Sequence, residues 1–268
     1  MAAERARPAF ERYVAIGDSS TEGLIDPDPR GGYRGWSRRL AQRIADAQGG
    51  VGYANLAARG LTTRQVLETQ LEPALALAPD LATVFTGTND VIARDFDPAA
   101  FARNTEAMQR ALRGAGATVL TFTLPDLTPL MPLARRIAPR IHALNANLRA
   151  VSAATGTILV DFAAYPVATD RRLWHPDRIH ANAAGHGRIA AALAQALGLP
   201  GADGRWREAP EPPLRDGVVP RVAAEAYWRL RYLLPWIAVR AAGWDAGRVR
   251  IPEPVLTSVA PSAQAPPP

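Results

Sequence analysis

The chain has 268 residues and contains no cysteine. This absence excludes a disulfide framework and any metal site built on thiolates, and it is compatible with a reducing compartment. Histidine is also scarce: the four histidines show no His-x-x-x-His or comparable ligand spacing, which argues against a metalloenzyme. We therefore expect the protein to need neither a metal nor a cofactor.

The sequence has no lysine either, so all 31 basic residues are arginines, and the chain has a net charge of +6 and a pI near 10.4. A positive balance favours anionic substrates, membrane surfaces or nucleic acid. The arginines stand singly or in pairs such as Arg38-Arg39, without a long basic run, an aromatic-rich RNA-binding motif or zinc-finger spacing. We therefore expect no nucleic-acid partner.

Long apolar runs are missing as well. Residues 1–10 carry charges and lack an apolar core, so no export signal precedes the first predicted strand. Residues 222–244 are partly apolar, but arginines, Glu225 and Pro235 interrupt them, whereas a membrane-spanning helix needs about 20 mainly apolar residues. The sequence therefore predicts a cytoplasmic protein, either free or peripheral to a membrane.

The remaining pattern is an alternation of strand-like and helix-like segments. Strand-like apolar runs occur at residues 13–16, 51–56, 81–85, 118–122 and 157–160. Helix-like stretches lie near residues 35–48, 62–77, 98–113, 133–154 and 182–197. This order predicts right-handed βαβ units. We expect an α/β fold: a single three-layer α/β/α domain of flavodoxin-like type, with a roughly five-stranded parallel sheet.

The first strand-like run ends abruptly at Gly17-Asp18-Ser19, as a strand does when it delivers a serine at its carboxyl end. In open parallel sheets, ligands bind outside the carboxyl ends of strands, and a glycine lets the chain turn sharply enough to expose the hydroxyl. Ser19 is therefore the candidate nucleophile. Taken alone, the same pattern also describes a strand-to-helix turn with a capping serine.

Three further polar segments follow predicted strands or precede a predicted helix. Gly60 stands between the second strand and the next helix, where its amide can face the site, and Asn89 follows the third strand and offers a side-chain amide donor. Asp177 and His180 lie three residues apart, ahead of the last helix. A serine, a base and two or three hydrogen-bond donors are what acyl transfer requires.

Four blocks of the sequence resemble, in order and spacing, the signature blocks of the SGNH (GDSL) hydrolase family. They are Gly17-Asp18-Ser19-Ser20, Gly60, Gly87-Thr88-Asn89-Asp90 and Asp177-Arg178-Ile179-His180. The resemblance covers residues from about 10 to 198. Ser20 stands where leucine or phenylalanine is common, and Ala181 follows the histidine in place of proline, so these departures concern substrate fit more than catalysis.

The resemblance implies a catalytic triad in which Ser19 is the nucleophile, His180 the base and Asp177 the acceptor that orients the imidazole. It also implies an oxyanion hole formed by the amides of Ser19 and Gly60 and the side chain of Asn89. These groups suit the chemistry, because a serine hydroxyl needs a neighbouring base and the alkoxide formed on attack needs donors. The expected function is hydrolysis of a small-molecule acyl ester through an acyl-serine.

Two other functions stay open at this stage. An acyltransferase would use the same triad but release the acyl group to a sugar or a small alcohol instead of water. A non-catalytic lipid- or carbohydrate-binding module would keep only the fold. The complete set of predicted catalytic residues argues against the binding module.

Asp18 and the three other histidines are not part of the implied triad. A carboxylate at a strand-to-helix turn usually accepts hydrogen bonds from local amides, so we interpret Asp18 as structural. We expect His142 on a helix surface and His186 in a structural role. His175 lies two residues before Asp177 and is the alternative base.

The domain is predicted to span residues 1–198. Residues 199–220 are rich in proline, glycine and charge, which predicts a linker, and residues 221–245 predict a C-terminal helix. The simplest interpretation packs this helix on the domain surface; the alternative is a basic amphipathic helix that lies on a membrane or covers the acyl pocket. Residues 246–268 predict a disordered tail.

Overall fold

A six-stranded sheet forms the centre of the protein. A computed structural model describes residues 9–211, 221–235, 238 and 251–262. The strands in these residues are β1 (Arg12–Gly17), β2 (Val51–Asn55), β3 (Leu81–Phe85), β4 (Thr118–Phe122), β5 (Ile158–Val160) and β6 (Thr257–Val259). Their order across the sheet is β5-β4-β3-β1-β2-β6, with parallel pairing throughout except for the antiparallel pair of β2 and β6.

Helices cover both faces of this sheet. The α-helices of the described residues are α1 (Ser19–Glu22), α2 (Gly35–Gln48), α3 (Thr63–Ala76), α4 (Thr88–Ile92), α5 (Pro98–Gly114), α6 (Ala138–Thr155), α7 (Ala183–Ala196) and α8 (Arg221–Trp228). Side chains of β1 alternate between two apolar clusters: Tyr13 and Ala15 pack with α2 and α7, whereas Val14 and Ile16 pack with α3 and α5. The predicted α/β/α layering and parallel sheet are confirmed.

Two helices begin directly after N-capping residues in the sequence. Thr62 and Gln65 form a reciprocal capping box at the start of α3. Asp97 caps α5, where Pro98 occupies the first turn. The helix predicted at 133–154 is wrong at its start, because a 3₁₀ turn (Pro132–Arg136) comes first and α6 begins only at Ala138. Pro139 lacks the amide hydrogen that would continue a helix from the preceding turn.

The C-terminal tail contributes β6, so the predicted disorder of residues 246–268 is wrong for the described part, 251–262. Val259 is buried, and the Thr257 hydroxyl donates a hydrogen bond to the Tyr53 carbonyl at 3.1 Å. The tail thereby covers the edge of β2, whose unpaired backbone groups would otherwise face solvent. The proline-rich composition concealed this three-residue strand. Residues 246–250 and 263–268 lie outside the described residues.

The predicted linker is also wrong over residues 199–211. A 3₁₀ turn at Gly204–Arg207 carries Trp206, which is buried against the rings of Phe162 and Tyr165. Its indole N–H donates to Gln195 Oε1 at 2.7 Å. Burial of one large aromatic ring stabilises a segment whose composition is otherwise that of a loop. Residues 212–220 of the predicted linker lie outside the described part.

A C-terminal helix is present where residues 221–245 predicted one. Helix α8 continues as a π-helical turn at Arg229–Leu233, and residues 234, 235 and 238 are also helical. Residues 236–237 and 239–245 lie outside the described part. No helix among the described residues combines the length and the apolar character needed to cross a bilayer.

Gly17 is expected to be indispensable for the end of β1. Its φ is +154°, and a Cβ atom would lie 2.1 Å from the Phe85 carbonyl oxygen and 2.4 Å from Thr21 Oγ1. Gly17→Ala should therefore lower the free energy of unfolding by about 3 kcal/mol or more. Gly187→Ala is the matched control, since that site in α7 is open, and alanine should stabilise the helix by up to about 1 kcal/mol. Urea titration measures both, and an unchanged midpoint for Gly17→Ala would contradict the argument.

Candidate active site

The carboxyl ends of three adjacent strands bring predicted site residues to one edge of the sheet. Ser19, which follows β1, is the first residue of α1. Gly60 lies in the loop after β2 with a φ of +81°, and Asn89 is in α4, after β3. Asn89 Nδ2 donates to the Leu61 carbonyl at 3.0 Å, which fastens the loop containing Gly60 to α4.

His180 connects Ser19 to Asp177. Its Nε2 lies 3.0 Å from Ser19 Oγ, and its Nδ1 lies 2.8 Å from Asp177 Oδ2. A carboxylate accepts a hydrogen bond from Nδ1–H, and this tautomer leaves Nε2 as the acceptor for the serine hydroxyl. The structure thus brings together the three residues predicted as a triad, although they are far apart in the sequence.

A tight loop presents Asp177 and His180 on the same side. The His175 amide donates to the His180 carbonyl at 2.9 Å, and Arg178 closes the loop with a φ of +65°. Asp177 Oδ1 accepts the amides of Ile179 and His180 at 2.9 and 3.0 Å. One carboxylate oxygen therefore fixes the backbone of the loop, while the other fixes the imidazole.

These hydrogen bonds keep Asp177 ionised. Burial on its own would raise the pKa of this carboxyl, but the hydrogen bonds from the His180 ring and from the amides of His180 and Ile179 outweigh it and lower the pKa to about 2. Asp177 therefore carries a full negative charge near neutral pH. Such a charge stabilises an imidazolium on His180.

His175 is not the histidine that contacts the serine. Its Nδ1 accepts the Asp177 amide at 3.2 Å and lies 3.0 Å from Asp177 Oδ2, and its ring packs edge-on against Tyr232. Ser19 Oγ is hydrogen-bonded to His180 instead. This geometry favours His180 over the alternative base.

Asp18 contacts the local backbone, as interpreted from the sequence. It is fully buried, and its Oδ1 accepts the Ser20 amide at 3.0 Å as the N-cap of α1. Its Oδ2 has no hydrogen-bond partner among the described residues. Burial raises the pKa of Asp18 to about 7, against the smaller lowering effect of the Ser20 amide. The pKa values of the two aspartates of the site are thus shifted in opposite directions, upward for Asp18 and downward for Asp177.

Gln70 is a contributor that the sequence analysis missed. It is fully buried in α3, where its Oε1 accepts the Gly17 amide at 2.8 Å and its Nε2 donates to the Gly17 carbonyl at 2.9 Å. This pair of bonds holds the residue at which β1 turns toward Ser19. The available signal was a glutamine in register with Val66 and Ala74, four residues to either side on the buried face of the helix.

The remaining histidines lie where the sequence analysis expected them. His142 is exposed on α6. His186 is buried, and its Nδ1 accepts the Trp36 amide at 3.1 Å while Nε2 donates to the Leu24 carbonyl at 3.2 Å. Burial lowers the pKa of His186 to about 4, so the ring is neutral and structural. No group of three or more potential metal ligands occurs within the described ranges.

Two apolar cavities adjoin the loop that carries Asp177 and His180, hereafter the triad loop, and Thr88, Leu124 and Ile179 line both of them. The smaller cavity, about 80 Å³, also touches Ser20, beside the predicted nucleophile. The larger one, about 340 Å³, touches Asp177. Apolar cavities with few polar groups are typical of sites that bind small molecules.

Comparison with known proteins supplies the family. A sequence profile of the GDSL-like lipase/acylhydrolase family matches residues 15–188. The chain belongs to this family. The resemblance read from the four sequence blocks is confirmed, and the chain is a carboxylic ester hydrolase. The four sequence blocks, from Gly17 to His180, all lie within the matched residues.

Solved structures share the fold. TesA is 26% identical, with a TM-score of 0.58 over 70% of this chain and 98% of that one. A lipase/acylhydrolase from Enterococcus faecalis is 24% identical, with a TM-score of 0.58 over 72% of this chain and all of that one. Axe2 is an acetylxylan esterase from Geobacillus stearothermophilus that was crystallised as a catalytic mutant. It is 16% identical, with a TM-score of 0.58 over 73% of this chain and 97% of that one. Comparison with curated proteins gave no match.

The buried carboxyl of Asp18 predicts a pH-dependent stability. Because its folded-state pKa of about 7 exceeds the ordinary value of 3.8, its contribution is fully present below the ordinary value and is lost as the pH rises through the folded value. Asp18→Asn replaces it with a neutral group. The variant should gain stability over the wild type at high pH, by up to about 4 kcal/mol.

Urea unfolding at about pH 5 and about pH 8 measures this effect as the difference in slope between the two proteins. The same substitution at the exposed Asp126 is the control, and it should leave the slope of the wild type unchanged. Equal slopes for wild type and Asp18→Asn would contradict the assignment of the buried proton.

Proposed function

We propose that this hydrolase cleaves carboxylic esters through an acyl-serine formed on Ser19, with His180 as the base and Asp177 as its orienting carboxylate. One observation carries the proposal: the two hydrogen bonds that join Ser19 Oγ to the imidazole at 3.0 Å and the imidazole to the carboxylate at 2.8 Å. A nucleophile, a base and an orienting acceptor in this relation are what serine catalysis requires.

The first half of the reaction forms the acyl-serine. Ser19 Oγ attacks the ester carbonyl carbon while its proton passes to His180 Nε2, and the negative charge of Asp177 stabilises the imidazolium. The tetrahedral intermediate then re-forms its carbonyl and breaks the bond to the alcohol oxygen, which takes the proton from His180. In the second half, water repeats the sequence and releases the carboxylic acid.

The oxyanion of each tetrahedral intermediate needs donors. We assign this role to the amides of Ser19 and Gly60 and to the side chain of Asn89. Ser19 stands in the first turn of α1, where amide groups lack intrahelical acceptors, and the other two residues lie at the same sheet edge. Each such donor is worth about 3 kcal/mol of transition-state stabilisation.

A small acyl ester is the proposed substrate, since the cavities beside the triad loop are apolar. A sugar or small alcohol in place of water would make the same groups an acyltransferase, so assays should include such acceptors. The two hydrogen bonds that link Ser19 to His180 and His180 to Asp177 argue against a non-catalytic binding module.

The cellular location, the peripheral membrane contact and the absence of a nucleic-acid partner stay predictions. Membrane contact through the C-terminal helix has one structural support: Tyr227, Leu230 and Leu234 are large apolar side chains that are more than half exposed. Exposed apolar side chains together with neighbouring arginines suit a lipid surface.

Ser19→Ala should abolish ester turnover without unfolding the protein. The expected loss of kcat is on the order of 10⁴-fold or more, because no other nucleophile is hydrogen-bonded to His180 in the described part. Hydrolysis of chromogenic esters gives the rate, and circular dichroism melting gives the control for folding. Turnover by Ser19→Ala at the wild-type rate would contradict the proposal.

Substitution of the two histidines separates the two candidate bases. His180→Ala should cost nearly as much activity as Ser19→Ala, and Asp177→Asn somewhat less, whereas His175→Ala should change kcat little. The measurement is kcat on one soluble ester with purified, folded variants. If His175→Ala were the inactive variant, the assignment of the base would be wrong.

A further inference from the structure

The C-terminal helix, here residues 221–235, lies beyond the family match at 15–188 and yet reaches the triad loop. Trp228 is 3% exposed, and its indole N–H donates to the Asp177 carbonyl at 3.2 Å. The guanidinium of Arg178 lies 4.3 Å from the centre of the same ring. These contacts fasten the helix to the backbone next to the orienting carboxylate.

The helix also forms one wall of the 340 Å³ cavity. Trp228, Tyr232 and Leu233 line it from this side. Leu233 belongs to the π-helical turn, while Leu234, the next residue, is 52% exposed. The helix thus turns one set of side chains inward and an adjacent set toward solvent.

The opposite walls of the cavity are apolar and come from elements of the domain itself. Val91 and Ile92 belong to α4, Met131 lies in the loop after β4, and Ile141 belongs to α6. The cavity reaches the site where Asp177 contributes to its lining. Apolar walls beside the loop that carries Asp177, with little polar surface among them, match an unbranched hydrocarbon chain rather than a sugar.

We propose that the C-terminal helix completes a binding cavity for the acyl chain and that Leu233 limits the chain length, so that esters of medium-length, unbranched acids are preferred over acetate esters. This inference rests on the proposed function of the triad. A cavity of 340 Å³ falls near the lower end of the roughly 300–1,000 Å³ of small-molecule sites. Each methylene of the chain buried there adds binding free energy.

The test compares two substitutions at neighbouring positions of one helix. Leu233→Trp fills the cavity, whereas Leu234→Trp adds the same side chain at an exposed position. The assay is kcat/KM on acetyl, butyryl, octanoyl and dodecanoyl esters of one chromogenic alcohol. The wild type should favour the octanoyl over the acetyl ester by at least about tenfold.

Leu233→Trp should lower kcat/KM on the octanoyl and dodecanoyl esters by about tenfold or more and leave the acetyl ester within about twofold of the wild type. Leu234→Trp should reproduce the wild-type profile. An unchanged profile in Leu233→Trp, or an equal loss on every ester, would overturn the inference. If Leu233→Trp melts far below the wild type, Leu233→Ala is the variant that tests the inference. It enlarges the cavity, so the preference should shift toward longer acyl chains.

Failure of this inference is distinguishable from failure of the proposed mechanism. A wild type that hydrolyses all four esters equally, and loses all activity in Ser19→Ala, would keep the triad and reject the chain-length cavity. A wild-type rate in Ser19→Ala would reject the mechanism whatever the profile.

Discussion

The carboxylate of Asp177 accepts hydrogen bonds from the backbone and from the imidazole at the same time, and most of the site depends on this dual contact. Its Oδ1 holds the amides of Ile179 and His180, and its Oδ2 holds the His180 ring. The carbonyl of the same residue accepts the indole N–H of Trp228. One residue therefore sets the shape of the loop, the orientation of the His180 imidazole and the attachment of the C-terminal helix.

Two buried aspartates of the site differ because of their donors. Asp177 receives hydrogen bonds on both oxygens, and its pKa falls to about 2, whereas Asp18 receives one on Oδ1 and its pKa rises to about 7. Burial on its own raises the pKa of both carboxyls. The donors around Asp177 thus favour a negative charge beside the His180 imidazole, whereas burial with a single donor disfavours one on Asp18.

Much of this architecture follows from local sequence signals. Buried parallel strands read as continuous apolar runs, so β3 and β4 were predicted with their observed bounds, and the blocks around Ser19 and His180 marked the site. What was missed depends on contacts distant in sequence. Strand β6 exists because β2 offers an open edge, and the turn around Trp206 exists because two aromatic rings receive its indole. These partners lie far away in the sequence, so the residues next to each segment cannot reveal them.

The C-terminal helix lies between two segments that are anchored on the domain, the turn at Gly204–Arg207 and strand β6. Because the helix is joined along the chain to an anchored segment on each side, it cannot diffuse away from the cavity that it lines. If its contacts with Asp177 open, their re-formation is therefore intramolecular. Strand β6, which pairs with β2 at the edge of the sheet, thus acts as a tether that limits how far the helix can move from the cavity.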